Sequence, residues 1–181
     1  MEEMEDPTES LQEKIHEKAE EEKERWTLYV ALSTAFIAVL AAIAGLLAGH
    51  HANEAVIDRQ KSGDQWNYYQ AKGIKSEIAA STDKILRALS SKPVPEDSKA
   101  AVERYEKEKL EIKATAEELD KSSEDHLAKH VTLSKAVTIF QIAIAISAIA
   151  ILTKRKILWY GGIVLTLVGA VFLIIGVFFT A

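Results

Sequence analysis

Apolar and polar positions are patterned on two length scales along this chain. On the coarse scale, stretches 26–49, 136–153 and 157–181 contain no Asp, Glu, Lys or Arg. A helix rises about 1.5 Å per residue, so roughly 20 residues cross a hydrocarbon core about 30 Å thick. The first and third stretches are long enough alone. The second becomes so as Val131–Leu152 once Lys135 snorkels to the interface. The pattern predicts transmembrane helices over 26–49, 133–152 and 157–181, with the lipid bilayer as the first partner of the chain.

On the fine scale, the polar segment 50–132 has helical periodicity. Its one strong breaker is Ser90-Ser91-Lys92-Pro93-Val94-Pro95, so two long helices are expected around a turn near 90–97. After the turn, Val102, Tyr105, Lys109, Ile112, Ala116, Leu119, Ser123, His126, His130 and Leu133 recur at three- and four-residue spacing. Before it, the matching stripe is His50, Asn53, Ile57, Gln60, Asp64, Asn67, Ala71, Ile74, Ile78, Ser81, Ile85 and Ala88. Such heptad stripes predict an antiparallel coiled-coil hairpin. The preferred register sets Ile85 against Tyr105, Ile78 against Ile112, Asn67 against Ser123, Asp64 against His126 and Gln60 against His130. A one-heptad slip sets Ile57 against His126 instead. Ser62-Gly63-Asp64 reads as a kink or a stop followed by a new cap. The fold class expected is all-α: three spans with a long extramembrane hairpin between the first and second.

The N-terminal 25 residues form an acidic tail, expected to be helical from Asp6-Pro7-Thr8-Glu9 onward. An acidic lead and a 24-residue apolar stretch (26–49) argue for a retained anchor over a cleaved signal peptide. Between the second and third spans, the short loop 153–156 carries Lys154, Arg155 and Lys156. Dense basic loops stay cytoplasmic. This places the N-terminus in the cytoplasm, and the hairpin and C-terminus in the periplasm.

Charge and composition narrow the chemistry. The net charge is −5, and no basic patch exists for nucleic acid. With no cysteine, thiolate metal sites, cysteine nucleophiles and disulfides are excluded. No phosphate-binding glycine loop or nucleophile elbow appears, and the chain is read as a non-enzyme without a cofactor. Small residues mark two faces for close helix packing: Ala41, Gly45 and Gly49 in the first span, and Gly162, Gly169 and Gly176 in the third. These faces suit packing among the spans or a homo-oligomer.

Toward the membrane the predicted seam turns polar: Asn53, Gln60, Asp64, Asn67, Ser123, His126 and His130. Polar seam residues cost stability, so they satisfy one another, line a hydrated vestibule continued by Thr138 and Gln141, or bind an ion. His50, Glu54, His126 and His130 are the metal candidates, without a recognised ligand motif, and no metal is assigned. Trp66, Tyr68 and Tyr69, within Asp64-Gln65-Trp66-Asn67-Tyr68-Tyr69-Gln70-Ala71-Lys72, suit aromatic packing or a protein partner on the hairpin.

His50-His51-Ala52-Asn53-Glu54-Ala55, the Asp64–Lys72 segment and the three-span layout resemble the bacterial domain-of-unknown-function 4337 family. The resemblance implies a bacterial membrane protein over nearly the whole chain and carries no activity with it. The role expected is a self-associating scaffold or protein-interaction module of the bacterial inner membrane. The alternative is an oligomeric ion channel.

Overall fold

The computed structural model describes residues 7–89 and 97–179. These form three helices, with no strand among the described residues: α1 (Pro7–Leu89), α2 (Asp97–Thr153) and α3 (Lys156–Phe178). Asp6, the expected cap, and the expected breaker at 90–96 lie outside the described residues. All three helices contain a window long and apolar enough to cross a membrane. Helix α1 continues through Ser62-Gly63-Asp64, so the stop expected there does not occur.

The chain divides into two compact units, one of residues up to Ala48 with Val131–Phe179, the other of Gly49–His130. In the apolar unit, Ile37, Ala44, Ala136, Phe140 and Ala143 form the buried core. Leu32, Phe36, Leu46, Leu152, Leu167 and Val171 point outward, the inverse of a water-soluble bundle. Hydroxyls are returned to their own helices: Thr34 donates to Val30 O, Ser147 to Ala143 O and Thr166 to Gly162 O. Each hydroxyl hydrogen is thereby satisfied within its own helix.

The glycine face of α3 packs inside this unit. A β-carbon at Gly162 would lie 2.9 Å from Ser147 Oγ, at Gly169 2.7 Å from Phe140 Cε1, and at Gly176 2.8 Å from Leu133 Cγ. Only glycine lets α3 approach α2 this closely. On α1 the buried line is Val30, Ile37, Ala44 and Ala48. Ala41 and Gly45 flank it, half-buried, and Gly45 would reach Val137 at 4.0 Å. Gly49 faces open space. Between α2 and α3 the chain turns through Lys154, whose φ of 55° is left-handed, and Arg155, which is extended.

In the polar unit, contacts between α1 and α2 run antiparallel. Ser123 meets Ala55, Ser122 meets Asp58, Ser62 meets Ala116, Lys72 meets Glu108 and Ser76 meets Glu106. The α2 seam is the one its periodicity predicts, with Ile112, Ala116 and Ser123 buried. The α1 stripe is not. Every residue of it, from His50 to Ala88, is exposed, including Ile74 at 59%, Ile78 at 61% and Ile85 at 57%. The α1 residues buried on the face toward α2 are Ala55, Asp58, Ser62 and Ser76, set about two positions away, or roughly 200° around the helix.

The register is therefore corrected as well. His126 faces His51, in place of Asp64 or Ile57. The physical reason lies in side-chain size and hydrogen bonding. Small residues on this face let the backbones approach until Ser123 Oγ reaches Ala55 O (2.8 Å) and Ser62 Oγ reaches Ala116 O (3.2 Å). The bulkier isoleucine face could not bring a hydroxyl to the opposite carbonyl.

Candidate functional site

The densest polar constellation lies where α1 residues 58–66 face α2 residues 116–122. Asp120 is its centre. One carboxylate oxygen accepts from Ser62 Oγ (2.8 Å) and Arg59 (2.7 Å), and the other from Trp66 Nε1 (3.0 Å). These donors, the Trp66 indole first and the Ser62 hydroxyl second, hold the Asp120 carboxyl below its ordinary range. Ser122 donates to Asp58 at 2.7 Å, with the Lys61 ammonium beside it, and the Asp58 carboxyl is lowered chiefly by that hydroxyl. Asp120 of α2 is held as an acceptor by three donors from α1, and Asp58 of α1 by Ser122 of α2 and Lys61 of its own helix.

Further along, Lys72 pairs with Glu108 and lies 5.1 Å from the Tyr68 ring centre and 5.4 Å from that of Tyr105. The Glu108 contact raises the Lys72 pKa and lowers that of Glu108. Trp66 and Tyr69 meet edge to face at 5.7 Å, and Lys109 lies over Tyr69. The Asp64–Lys72 segment thus divides: Trp66, Tyr69 and Lys72 serve the α1–α2 contact, and Asp64, Asn67 and Tyr68 are exposed.

Toward the other end of this unit, His51 and His126 meet with Nδ1 atoms 2.8 Å apart. At that distance one ring donates and the other accepts. His50 stacks obliquely on His51 at 5.3 Å. Among the described residues no three His, Asp or Glu side chains come together as a metal-binding set, so His50, Glu54, His126 and His130 are not gathered into one. His130 instead lines an open groove of about 710 Å³ with Ala52, Val56, Arg59, Glu124 and Leu127. Asn53 and Gln60 are exposed, with Gln60 on the rim of that groove. Ser123 is buried in the contact, its hydroxyl satisfied by Ala55 O. In the apolar unit Gln141 is exposed, and Thr138 donates to Ser134 O at 3.0 Å.

Sequence reasoning passed over His51, Asp58, Ser62, Ser76 and Asp120. A signal was present: small and hydrogen-bonding residues recur at 55, 58, 62 and 76 on the α1 face opposite the isoleucines. A search for apolar periodicity alone does not see it.

A family model described as a domain of unknown function (DUF4337) matches residues 26–179. The chain belongs to the DUF4337 family. The match takes in both units and leaves out the acidic N-terminal segment. No curated protein and no solved structure matches the chain.

Proposed function

We propose that this DUF4337 protein is a self-associating scaffold of the bacterial inner membrane, working by association and without catalysis. In this reading its three apolar helices span the bilayer. The basic loop 153–156 lies in the cytoplasm, and the polar hairpin lies in the periplasm.

The observation that carries the reading is the isoleucine stripe. Ala71, Ile74, Ile78, Ser81, Ile85 and Ala88 alternate three- and four-residue steps on a face of α1 left exposed within the chain. Alternate steps of this kind fit a second helix, and the polar outer face of α2 offers no match (Glu103, Lys107, Glu117, Lys121 and Glu124). A second copy offers the same stripe. Copies inserted in one bilayer share one orientation, so the two stripes run parallel.

The flanking residues agree with that arrangement. In parallel register, Gln70 of one copy lies against Lys75 of the next, Glu77 against Thr82 and Lys84 against Leu89, with no like charges opposed. An antiparallel pairing centred on Ile74 and Ile78 would oppose Lys75 with Lys75 and Glu77 with Glu77. Ile78 and Ile85 fall at the core positions where, in a parallel coiled coil, β-branched residues favour two strands. The glycine face of α3 is already occupied by α2, whereas the isoleucine stripe is exposed within the chain.

Mass measurement in mild detergent tests the reading. The wild type should run as a multimer, and the Ile78→Lys/Ile85→Lys variant as a monomer of unchanged helicity, because both side chains are exposed within the chain. A monomeric wild type, or a variant that stays multimeric, would sink the proposal. Ion flux in liposomes would instead favour the channel alternative.

A further inference from the structure

One cavity of the apolar unit has a chemistry unlike the rest of that unit. It has a volume of about 340 Å³ and is lined by Arg25, Trp26 and Tyr29 from α1 and by Lys156 and Trp159 from α3. Arg and Lys carry hydrogen-bond donors and no acceptor, and the indole nitrogen is likewise donor only. Among the described residues no carboxylate lines the cavity. A cavity that offers donors and two positive charges fits an anion rich in acceptors.

The two indoles differ in a way that points to a missing acceptor. Trp159 Nε1 donates to Ser33 Oγ at 3.1 Å. Trp26 is only 9% exposed, and its buried Nε1 has no hydrogen-bond partner among the described residues. A buried indole N–H left unpaired forfeits the hydrogen bond it had in water. The aromatic rings also give the cavity amphipathic walls of the kind found where acyl chains meet headgroups. The two cations come from helices far apart in sequence, so folding of the bundle is needed to bring them to one place.

We propose that Arg25, Trp26 and Lys156 bind the phosphate oxygens of an anionic species, with Tyr29 and Trp159 walling the site. The two sources of that chemistry are the headgroup of an anionic phospholipid and free inorganic phosphate. Lys156 and Arg25 supply charge-assisted hydrogen bonds, and Trp26 Nε1–H supplies a neutral one. A zwitterionic headgroup would bring its own cation beside Arg25 and Lys156 and would bind less well.

The test uses the full chain. In its first arm, protein in micelles containing equal phosphatidylglycerol and phosphatidylcholine is examined by native mass spectrometry. In the second, inorganic phosphate is titrated while indole fluorescence is followed in a Trp66→Phe background, which removes the indole of the polar unit. Trp26→Phe keeps the ring and deletes only the N–H, and Lys156→Gln removes one charge. Thermal melting of both variants verifies that they fold.

Selective retention of phosphatidylglycerol, weakened about tenfold or more in each variant, identifies the lipid as the source. A saturable fluorescence response to phosphate with the same sensitivity identifies the free anion. Equal retention of both lipids with no phosphate response overturns the proposal. So does a response that neither substitution changes.

Discussion

Burial, and then the neighbouring His126 imidazole, hold the His51 pKa below its ordinary 6.5, with His50 and Lys129 acting in the same sense and Glu54 against it. The folded state therefore takes up its proton at lower pH than the unfolded chain does. Between the folded value and 6.5 the unfolded chain binds more protons, so stability rises with pH across that window and levels off above it. Lowering the pH from 7 toward 5 should loosen the contact between α1 and α2 near His51, measured as faster amide exchange there. In His51→Asn that part of the pH dependence should flatten. The carboxylates of Asp58 and Asp120 add a second, more acidic limb, because their depressed pKa values contribute stability that is lost only as the pH falls through them. Among these groups the sequence marked His126 and missed both its partner and Asp120. A histidine or aspartate on a helix announces that it needs a partner. Which residue answers depends on the rotation of the opposite helix.

That rotation is where reading at the level of elements succeeded on one helix and failed on its neighbour. The α2 seam was legible because its apolar and small residues, Ile112 and Ala116 among them, share one face. On α1, two faces carry three- and four-residue spacing, one rich in isoleucine and one in alanine, serine and aspartate. Apolar periodicity selects the first, whereas close approach and interhelical hydrogen bonds occupy the second. The seven-residue glycine spacing of α3 was legible as a packing face. Its partner, α2 of the same chain, was not, since small residues suit any close neighbour. Replacing Gly169 by leucine should cost about 1–3 kcal/mol, since even a β-carbon there would meet Phe140. Leucine at Gly161, which has open space around it, should be near neutral. Denaturation of both variants in detergent compares them directly.

For the whole molecule, the three long apolar helices were readable from composition alone, because bilayer thickness sets a length that few other segments reach. The division into an apolar and a polar unit follows from the same contrast. The proposed orientation rests on Lys154, Arg155 and Lys156, all exposed. Single cysteines placed at Ser91 and Thr153 in this cysteine-free chain test it. An impermeant thiol reagent applied to intact cells should label position 91 and spare 153. The opposite pattern would invert the protein in the membrane.

The serine-to-carbonyl contacts between α1 and α2 carry a thermal consequence. Apolar surface raises the heat capacity when it is exposed, and polar surface lowers it. A seam built on Ala55, Asp58, Ser62, Ile112, Ala116 and Ser123 buries both kinds, with a larger polar share than a leucine-lined seam. Opening it should change heat capacity less than opening a leucine-lined seam of equal length. Its free energy of opening therefore curves less with temperature, with a weaker downturn on cooling than apolar burial alone imposes. The polar unit is in that sense built to hold its two helices together in the cold.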